Sequence, residues 1–111
     1  MNIHIIHDRP TPEQVREMME AQGTFIKLAV DVRRRIIAGG GEMHADCEAT
    51  LLEQGSSQDD IWGADWYPDE NAVGFESFIN IRPRQGNRSL YIQDPVLRAQ
   101  VEEVVTDRLK P

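Results

Sequence analysis

The chain has 111 residues and a net charge of −7, and its apolar and charged fractions, 40% and 28%, are typical of a folded protein. This size predicts one domain over residues 1–111. No stretch is long enough to span a bilayer and the N-terminus lacks a signal-peptide pattern, so we expect a cytoplasmic protein without a membrane partner. The single cysteine excludes an internal disulfide.

The first part of the chain predicts a strand and a capped helix. Residues 3–6 include three isoleucines, which favour a short strand. Thr11 then suits a helix N-cap, Pro12 suits the first helical position, and Gln14 completes a capping box. Gly23 is a residue type that ends helices in the left-handed conformation.

Residues 24–32 alternate apolar and polar side chains, which indicates a half-buried strand. Three arginines at 33–35 interrupt this pattern, and two isoleucines at 36–37 resume it. A run of glycines then precedes a second predicted helix over residues 42–54, with Gly55 as its cap.

The second half predicts three strands and a last helix. Residues 61–67 and 72–82 indicate two strands joined by a turn, with Phe78 on the polar face of the second. Residues 90–92 predict a short edge strand, and the Asp-Pro pair at 94–95 predicts a helix start. The expected fold class is α+β, with a small mixed sheet of about five strands and three helices in the order β-α-β-α-β-β-β-α.

Charge is distributed unevenly along the sequence. Between Ile36 and Ile81 there are ten acidic residues and no Lys or Arg, whereas arginines lie on both sides of this acidic middle. The acidic balance disfavours nucleic acid as a partner. It leaves an unknown protein or a small anionic ligand as the expected partner classes.

His44, Asp46, Glu48 and Asp65 are the candidate catalytic residues. On a helix, His44 and Glu48 lie on one face, and with Asp65 they are the candidate ligands for a divalent metal. No recognised zinc or calcium spacing is present, so the pattern requires no cofactor. The alternative is structural, because carboxylates in a first helical turn are stabilised by the helix dipole.

Cys47 has two interpretations. A helix N-terminus and the nearby His44 would lower the pKa of its thiol and favour a nucleophile. The same position falls on an apolar stripe with Met43 and Leu51, which favours a buried and inert thiol. The glycines at 39–41 likewise form either an anion cradle or a tight turn or bulge.

Residues 80–88 are rich in planar hydrogen-bond donors. The candidate anion-binding residues are Arg82, Arg84, Asn87 and Arg88, because guanidinium groups grip carboxylates and phosphates with two parallel hydrogen bonds. The alternative is that these arginines pair with the acidic middle of the chain. We expect residues 42–48, 62–67 and 80–88 to form one polar site.

Four motifs resemble those of a family of small bacterial proteins of unknown function. They are Ala-Gly-Gly-Gly-Glu-Met-His-Ala-Asp-Cys-Glu at 38–48, Trp-Gly-Ala-Asp-Trp-Tyr-Pro at 62–68, Ile-Asn-Ile-Arg-Pro-Arg-Gln at 79–85 and Ile-Gln-Asp-Pro at 92–95. The resemblance implies a bacterial, cytosolic, stand-alone domain and assigns no reaction, cofactor or catalytic residue. Two hypotheses follow: a binding module that uses the polar site, and a small metal-dependent hydrolase-like enzyme that acts on an anionic substrate.

Overall fold

The computed structural model describes residues 2–111 and contains five strands and three α-helices. The α+β class, the five strands and the three helices are confirmed. Three short 3₁₀ turns lie at Gln58–Asp60, Phe78–Asn80 and Pro83–Gln85. In chain order the main elements are β1 (His4–Ile6), α1 (Pro12–Met18), β2 (Ile26–Asp31), β3 (Ile36–Gly39), α2 (His44–Glu53), β4 (Ile61–Tyr67), β5 (Ala72–Gly74) and α3 (Pro95–Leu109).

The strands form one sheet in the spatial order β1-β3-β2-β4-β5. Every pairing is antiparallel, so the prediction of a mixed sheet is wrong. The arginine triplet is where the chain reverses between β2 and β3. A carboxylate oxygen of Asp31 accepts hydrogen bonds from the backbone N–H groups of Arg33 and Arg34, at 3.0 and 2.9 Å, and Arg35 takes a left-handed conformation with φ +56°. The segment before α2 therefore supplies a hairpin of two strands.

The segment 72–82 was predicted as one strand, but β5 ends at Gly74. The side chain of Ser77 accepts a hydrogen bond from the N–H of Ile79 at 3.2 Å and so starts a 3₁₀ turn. The predicted edge strand at 90–92 contributes only a single bridge, between Tyr91 and Glu76. Two backbone hydrogen bonds, from Ser77 N–H to the carbonyl of Leu90 at 3.1 Å and from Ile92 N–H to that of Phe75 at 3.3 Å, form this bridge, so the pairing here is brief.

Helices cover both faces of the sheet. On one face, α1 and α3 pack against alternate residues of β2 and β4, whereas α2 packs on the opposite face. Trp62 and Trp66 share the α1–α3 face and are 3% and 2% exposed. Asp65 lies between the two tryptophans in the sequence, and strand alternation directs its side chain to the opposite face, where α2 packs. Strand alternation therefore places the aromatic residues in the core and Asp65 beneath α2.

Three of the four predicted helix caps are confirmed. Thr11 forms the capping box with Gln14, and Asp94 accepts a hydrogen bond from the N–H of Val96 at 2.9 Å. Gly55 follows α2 with φ +93°, as a left-handed cap requires. Gly23 has φ +83°, but α1 ends at Met18 with Met19 as its C-cap, so the prediction that Gly23 ends this helix is wrong. The start of α2 differs slightly from prediction, since the helix begins two residues after position 42.

The glycines at 39–41 allow close packing. Gly40 has φ +102°, and a Cβ there would lie 2.3 Å from the carbonyl oxygen of Asn2 and 2.9 Å from Cα of Met18. This position therefore brings the start of the chain and the end of α1 against the sheet.

Across residues 2–111, no helix combines the length and the apolar character that crossing a membrane needs.

Candidate functional site

The structure brings two of the candidate catalytic residues together. His44 is the first residue of α2, and its Nε2 lies 2.8 Å from Oδ1 of Asp65 on β4. The same nitrogen lies 3.2 Å from the carbonyl oxygen of Ala64. Both side chains of the pair are 12% exposed. The first turn of α2 and the middle of β4 therefore hold an oriented imidazole near the surface.

The hydrogen bonds of His44 determine which ring nitrogen carries the proton. Both partners of Nε2, the carboxylate of Asp65 and the carbonyl of Ala64, accept hydrogen bonds, so Nε2 is protonated. In the neutral ring, Nδ1 is then an acceptor. Within residues 2–111, Nδ1 makes no hydrogen bond. The imidazole therefore has one nitrogen bound to the protein and one available to a ligand.

Two shallow pockets adjoin His44 and share four of their lining residues. Their volumes are about 220 Å³ and about 130 Å³. Phe78 borders both pockets and is 77% exposed, and Met43, on the smaller pocket, is 55% exposed. Glu76 and Leu90 complete the larger pocket. We call the residues Lys27, Met43, His44, Ser77 and Phe78 the Phe78 surface.

The polar groups of the Phe78 surface are incompletely paired. Lys27 is half-buried, and in the part of the chain that the structure describes its ammonium group makes no ion pair or hydrogen bond. Lys27 stands directly opposite Asp65 in the register of β2 and β4. The hydroxyl of Ser77 accepts from the N–H of Ile79 and donates to no group among residues 2–111. A ligand can therefore meet two free donors and one free acceptor here.

The remaining acidic candidates make other contacts. Asp46 accepts a hydrogen bond from the N–H of Met43 at 3.2 Å and so caps its own helix. Glu48 lies 3.2 Å from Nη2 of Arg82, and these two side chains are 13% and 11% exposed. Consequently, Glu48 does not join His44 and Asp65. No group of three or more His, Cys, Asp or Glu side chains within residues 2–111 is arranged to hold a metal ion.

Arg82 makes internal contacts with all of its N–H donors. Burial lowers the pKa of its guanidinium, while Glu48 and then Asp59 act in the opposite direction. The guanidinium carbon also lies 4.9 Å from the centre of the Trp62 ring. The acceptors are the carbonyl oxygens of Ile79, Gln58 and Ile61 and the side chains of Gln85 and Glu48, at 2.6–3.2 Å.

The other candidate anion-binding residues fall into two groups. Asn87 is 4% exposed, and its amide donates to three backbone carbonyl groups and accepts from the N–H of Gln93. Arg84 and Arg88 are exposed, and their side chains make no ion pair or hydrogen bond within residues 2–111. The alternative of pairing with the acidic middle is seen at Arg82, as above, and at Arg33, which lies 2.9 Å from Asp60.

Cys47 is fully buried between α2 and the sheet, next to Leu51. Burial raises the pKa of its thiol to about 11, and Asp46 and Asp65 act in the same direction, against Gly41 and Lys27. Its Sγ donates weakly to the carbonyl oxygen of Lys27 at 3.5 Å. The interpretation as a buried, protonated thiol is therefore the one that the geometry favours.

We expect native Cys47 to react with iodoacetamide at pH 8 about 100-fold more slowly than the unfolded chain, because the thiolate fraction falls by that factor between a pKa of 9.0 and one of about 11. The folded pKa is raised, so the stability that this thiol contributes is complete below about pH 9 and is lost as the pH rises towards 11. Mass spectrometry of native and urea-unfolded protein measures both rates. Equal rates at pH 8 would contradict the assignment.

Lys27, Ser77 and Phe78 were not among the residues predicted for the site. Lys27 lines the same pockets as His44 because the register of β2 and β4 puts it opposite Asp65, the partner of His44. The one signal for Phe78 was its position out of phase with its apolar neighbours at 73, 75, 79 and 81. The sequence carries no comparable signal for Ser77.

The fold and the site define a small α+β domain with a histidine–aspartate pair beside an exposed aromatic ring. The chain belongs to the family described as a protein of unknown function (DUF5674), whose model matches residues 4–108. Membership in a family of unknown function was predicted from the motifs and is confirmed. No curated protein and no solved structure is detectably similar to this chain.

Proposed function

We propose that this protein is a binding module and that the Phe78 surface is its binding site. The observation that carries the proposal is the 77% exposure of Phe78 at the border of two pockets. Folding leaves a large ring in water here, although both faces of the sheet are covered by helices. Aromatic side chains are enriched at binding surfaces, where a few anchoring residues contribute most of the binding energy.

The polar groups around Phe78 suggest what kind of partner is bound. Lys27 contributes a positive charge that has no ion-pair partner among residues 2–111, and His44 and Ser77 add groups that can accept and donate hydrogen bonds. A segment of another protein can combine an apolar side chain on Phe78 with polar contacts to these residues. The net charge of −7 opposes a polyanion such as nucleic acid.

A panning experiment with displayed peptide libraries tests the proposal. One library presents peptides with free C-termini, and a second presents the peptides within a longer chain. We expect the protein to enrich a consensus sequence, and we expect Phe78→Ser to weaken binding of the selected peptide about tenfold or more. Val96→Ser is the matched control, because Val96 is 66% exposed and lines neither pocket.

Either of two outcomes would contradict the binding module. The first is the absence of a consensus from both libraries. The second is a consensus peptide that binds Phe78→Ser and the unchanged protein equally well. Circular dichroism of each variant establishes that it has folded.

The pairing of His44 with Asp65 supports a second candidate, a hydrolase-like enzyme acting on an anionic substrate. An imidazole held by a carboxylate, with its other nitrogen unbonded within the described residues 2–111, is the arrangement of a general base. A metal-dependent version would need a further ligand besides His44 and Asp65, since Glu48 is bound to Arg82. Hydrolysis of p-nitrophenyl phosphate that depends on Mn²⁺ or Zn²⁺, and that is lost in His44→Ala, would favour this candidate over the binding module.

A further inference from the structure

We propose that the Phe78 surface binds the C-terminal residue of a polypeptide, with the carboxylate held by Lys27 and Ser77, the last N–H donated to Nδ1 of His44, and an apolar side chain packed on Phe78. This inference rests on the proposed binding function and specifies its ligand. Four features of the site support it: its hydrogen-bonding groups, its charge, its size and its apolar border.

The hydrogen-bonding groups of Lys27, Ser77 and His44 fit a ligand that both accepts and donates hydrogen bonds. Lys27 and Ser77 offer donors that no group among residues 2–111 occupies. In the neutral ring, Nδ1 of His44 is an acceptor, because Nε2 carries the proton that is donated to Asp65 and Ala64. An anion without a hydrogen, such as sulfate or chloride, would leave Nδ1 without a donor. The last residue of a peptide supplies a carboxylate and, two bonds away, an N–H.

The charges favour a ligand with a single negative charge. Within residues 2–111, Lys27 makes no ion pair or hydrogen bond, although Asp65 lies opposite it in the strand register and accepts a hydrogen bond from His44. Glu76 borders the larger pocket, and the whole chain carries −7. A carboxylate brings one negative charge to Lys27, whereas a phosphate dianion brings two and would therefore be repelled more strongly by Glu76 and Asp65.

The size and border of the site suit one residue. Pockets that hold drug-sized ligands measure about 300–1,000 Å³. The two pockets here measure about 220 and 130 Å³. Phe78 and Met43 form their exposed apolar border. An aliphatic side chain packed there would be removed from water while its carboxylate faced Lys27, and C-terminal carboxylate capture is a recurring mode of peptide recognition.

The test is a ¹H–¹⁵N NMR titration with two small probes, N-acetyl-leucine and N-acetyl-leucinamide. They share the leucine side chain and the donor N–H but differ in the charged carboxylate. We expect saturable shifts at the amides of Lys27, His44, Ser77 and Phe78 with the acid, and binding about tenfold weaker with the amide. Inorganic phosphate should bind more weakly than the acid.

Lys27→Met should weaken binding of N-acetyl-leucine about tenfold, because methionine keeps the unbranched stem and removes the charge. Lys110→Met, which removes the only other lysine, is the matched control and should bind normally. If Lys27→Met does not fold, the comparison of N-acetyl-leucine with N-acetyl-leucinamide in the unchanged protein still tests the inference. Equal binding of acid and amide, or tighter binding of phosphate, would overturn the inference.

The two proposals fail in different ways. A consensus found only among peptides without a free C-terminus, together with no shift from N-acetyl-leucine, would overturn the C-terminal inference and leave the binding module supported. No consensus in either library and no shift from either probe would overturn both.

Discussion

Asn80→Asp should lower the free energy of unfolding by about 3–5 kcal/mol, because it places an uncompensated charge among buried carbonyl groups. Asn80 is fully buried. Its Oδ1 accepts from the N–H of Gly63 at 2.8 Å, and its Nδ2 donates to the carbonyl oxygen of the same residue at 3.0 Å. The Nδ2 group also donates to the carbonyl oxygens of Phe75 and Leu90, at 3.1 and 3.2 Å. Aspartate would turn these three contacts into repulsions.

Urea unfolding at pH 7, followed by circular dichroism, measures the effect of Asn80→Asp. Asn71→Asp is the control, since Asn71 is exposed in the turn between β4 and β5 and its replacement should change the free energy of unfolding by about 0.5 kcal/mol or less. A loss smaller than about 1 kcal/mol in Asn80→Asp would show that these hydrogen bonds contribute little.

Arg82→Met should also destabilise the protein by about 3–5 kcal/mol, because it leaves the mostly buried carboxylate of Glu48 without its cation. The change also removes the guanidinium from the Trp62 ring and leaves the carbonyl oxygens of Ile79 and Ile61 without a donor. The same urea measurement applies. Arg84→Met is the matched control, because the exposed side chain of Arg84 makes no ion pair or hydrogen bond within residues 2–111, and its effect should stay near zero.

A double-mutant cycle separates the ion pair from the other contacts of Arg82. Glu48→Gln removes the buried charge, so we expect the loss caused by Arg82→Met to be smaller in that background by about 1–3 kcal/mol. Additive effects of the two substitutions would mean that Arg82 stabilises the fold through its carbonyl contacts and not through Glu48.

The parts of the fold that depend on neighbouring residues could be predicted from the sequence. The capping box of Thr11 and Gln14 and the N-cap of Asp94 form within one helical turn, so the residue types suffice to predict them. The strand predicted over residues 61–67 is likewise a local feature, and its alternation is what places Trp62 and Trp66 on one face.

The missed features depend on contacts between distant residues. The side chain of Asn80 bonds to Gly63, 17 positions earlier, and nothing in the local alternation of residues 72–82 indicates it. The hairpin at the arginine triplet likewise depends on Asp31 binding the backbone of the next turn, whereas the apolar pattern alone favoured continuation.

The candidate site shows the same contrast between residue types, which the sequence gives directly, and contacts between distant residues, which it does not. His44 and Asp65 were recognised as chemically suitable residues, but their approach to 2.8 Å depends on where α2 packs on β4. Lys27 was not predicted as a site residue, because its position beside this pair follows from the strand register and not from sequence spacing.

The two edges of the sheet are built so that they offer little to a strand of another molecule. Both outer strands, β1 and β5, are only three residues long, so each presents few free backbone groups to another chain. Beyond the end of β5, the side-chain amide of Asn80 occupies both backbone groups of Gly63 on β4, where another molecule's strand would otherwise add. The same amide that stabilises the fold therefore blocks an attachment point for fibre-like assembly at high concentration.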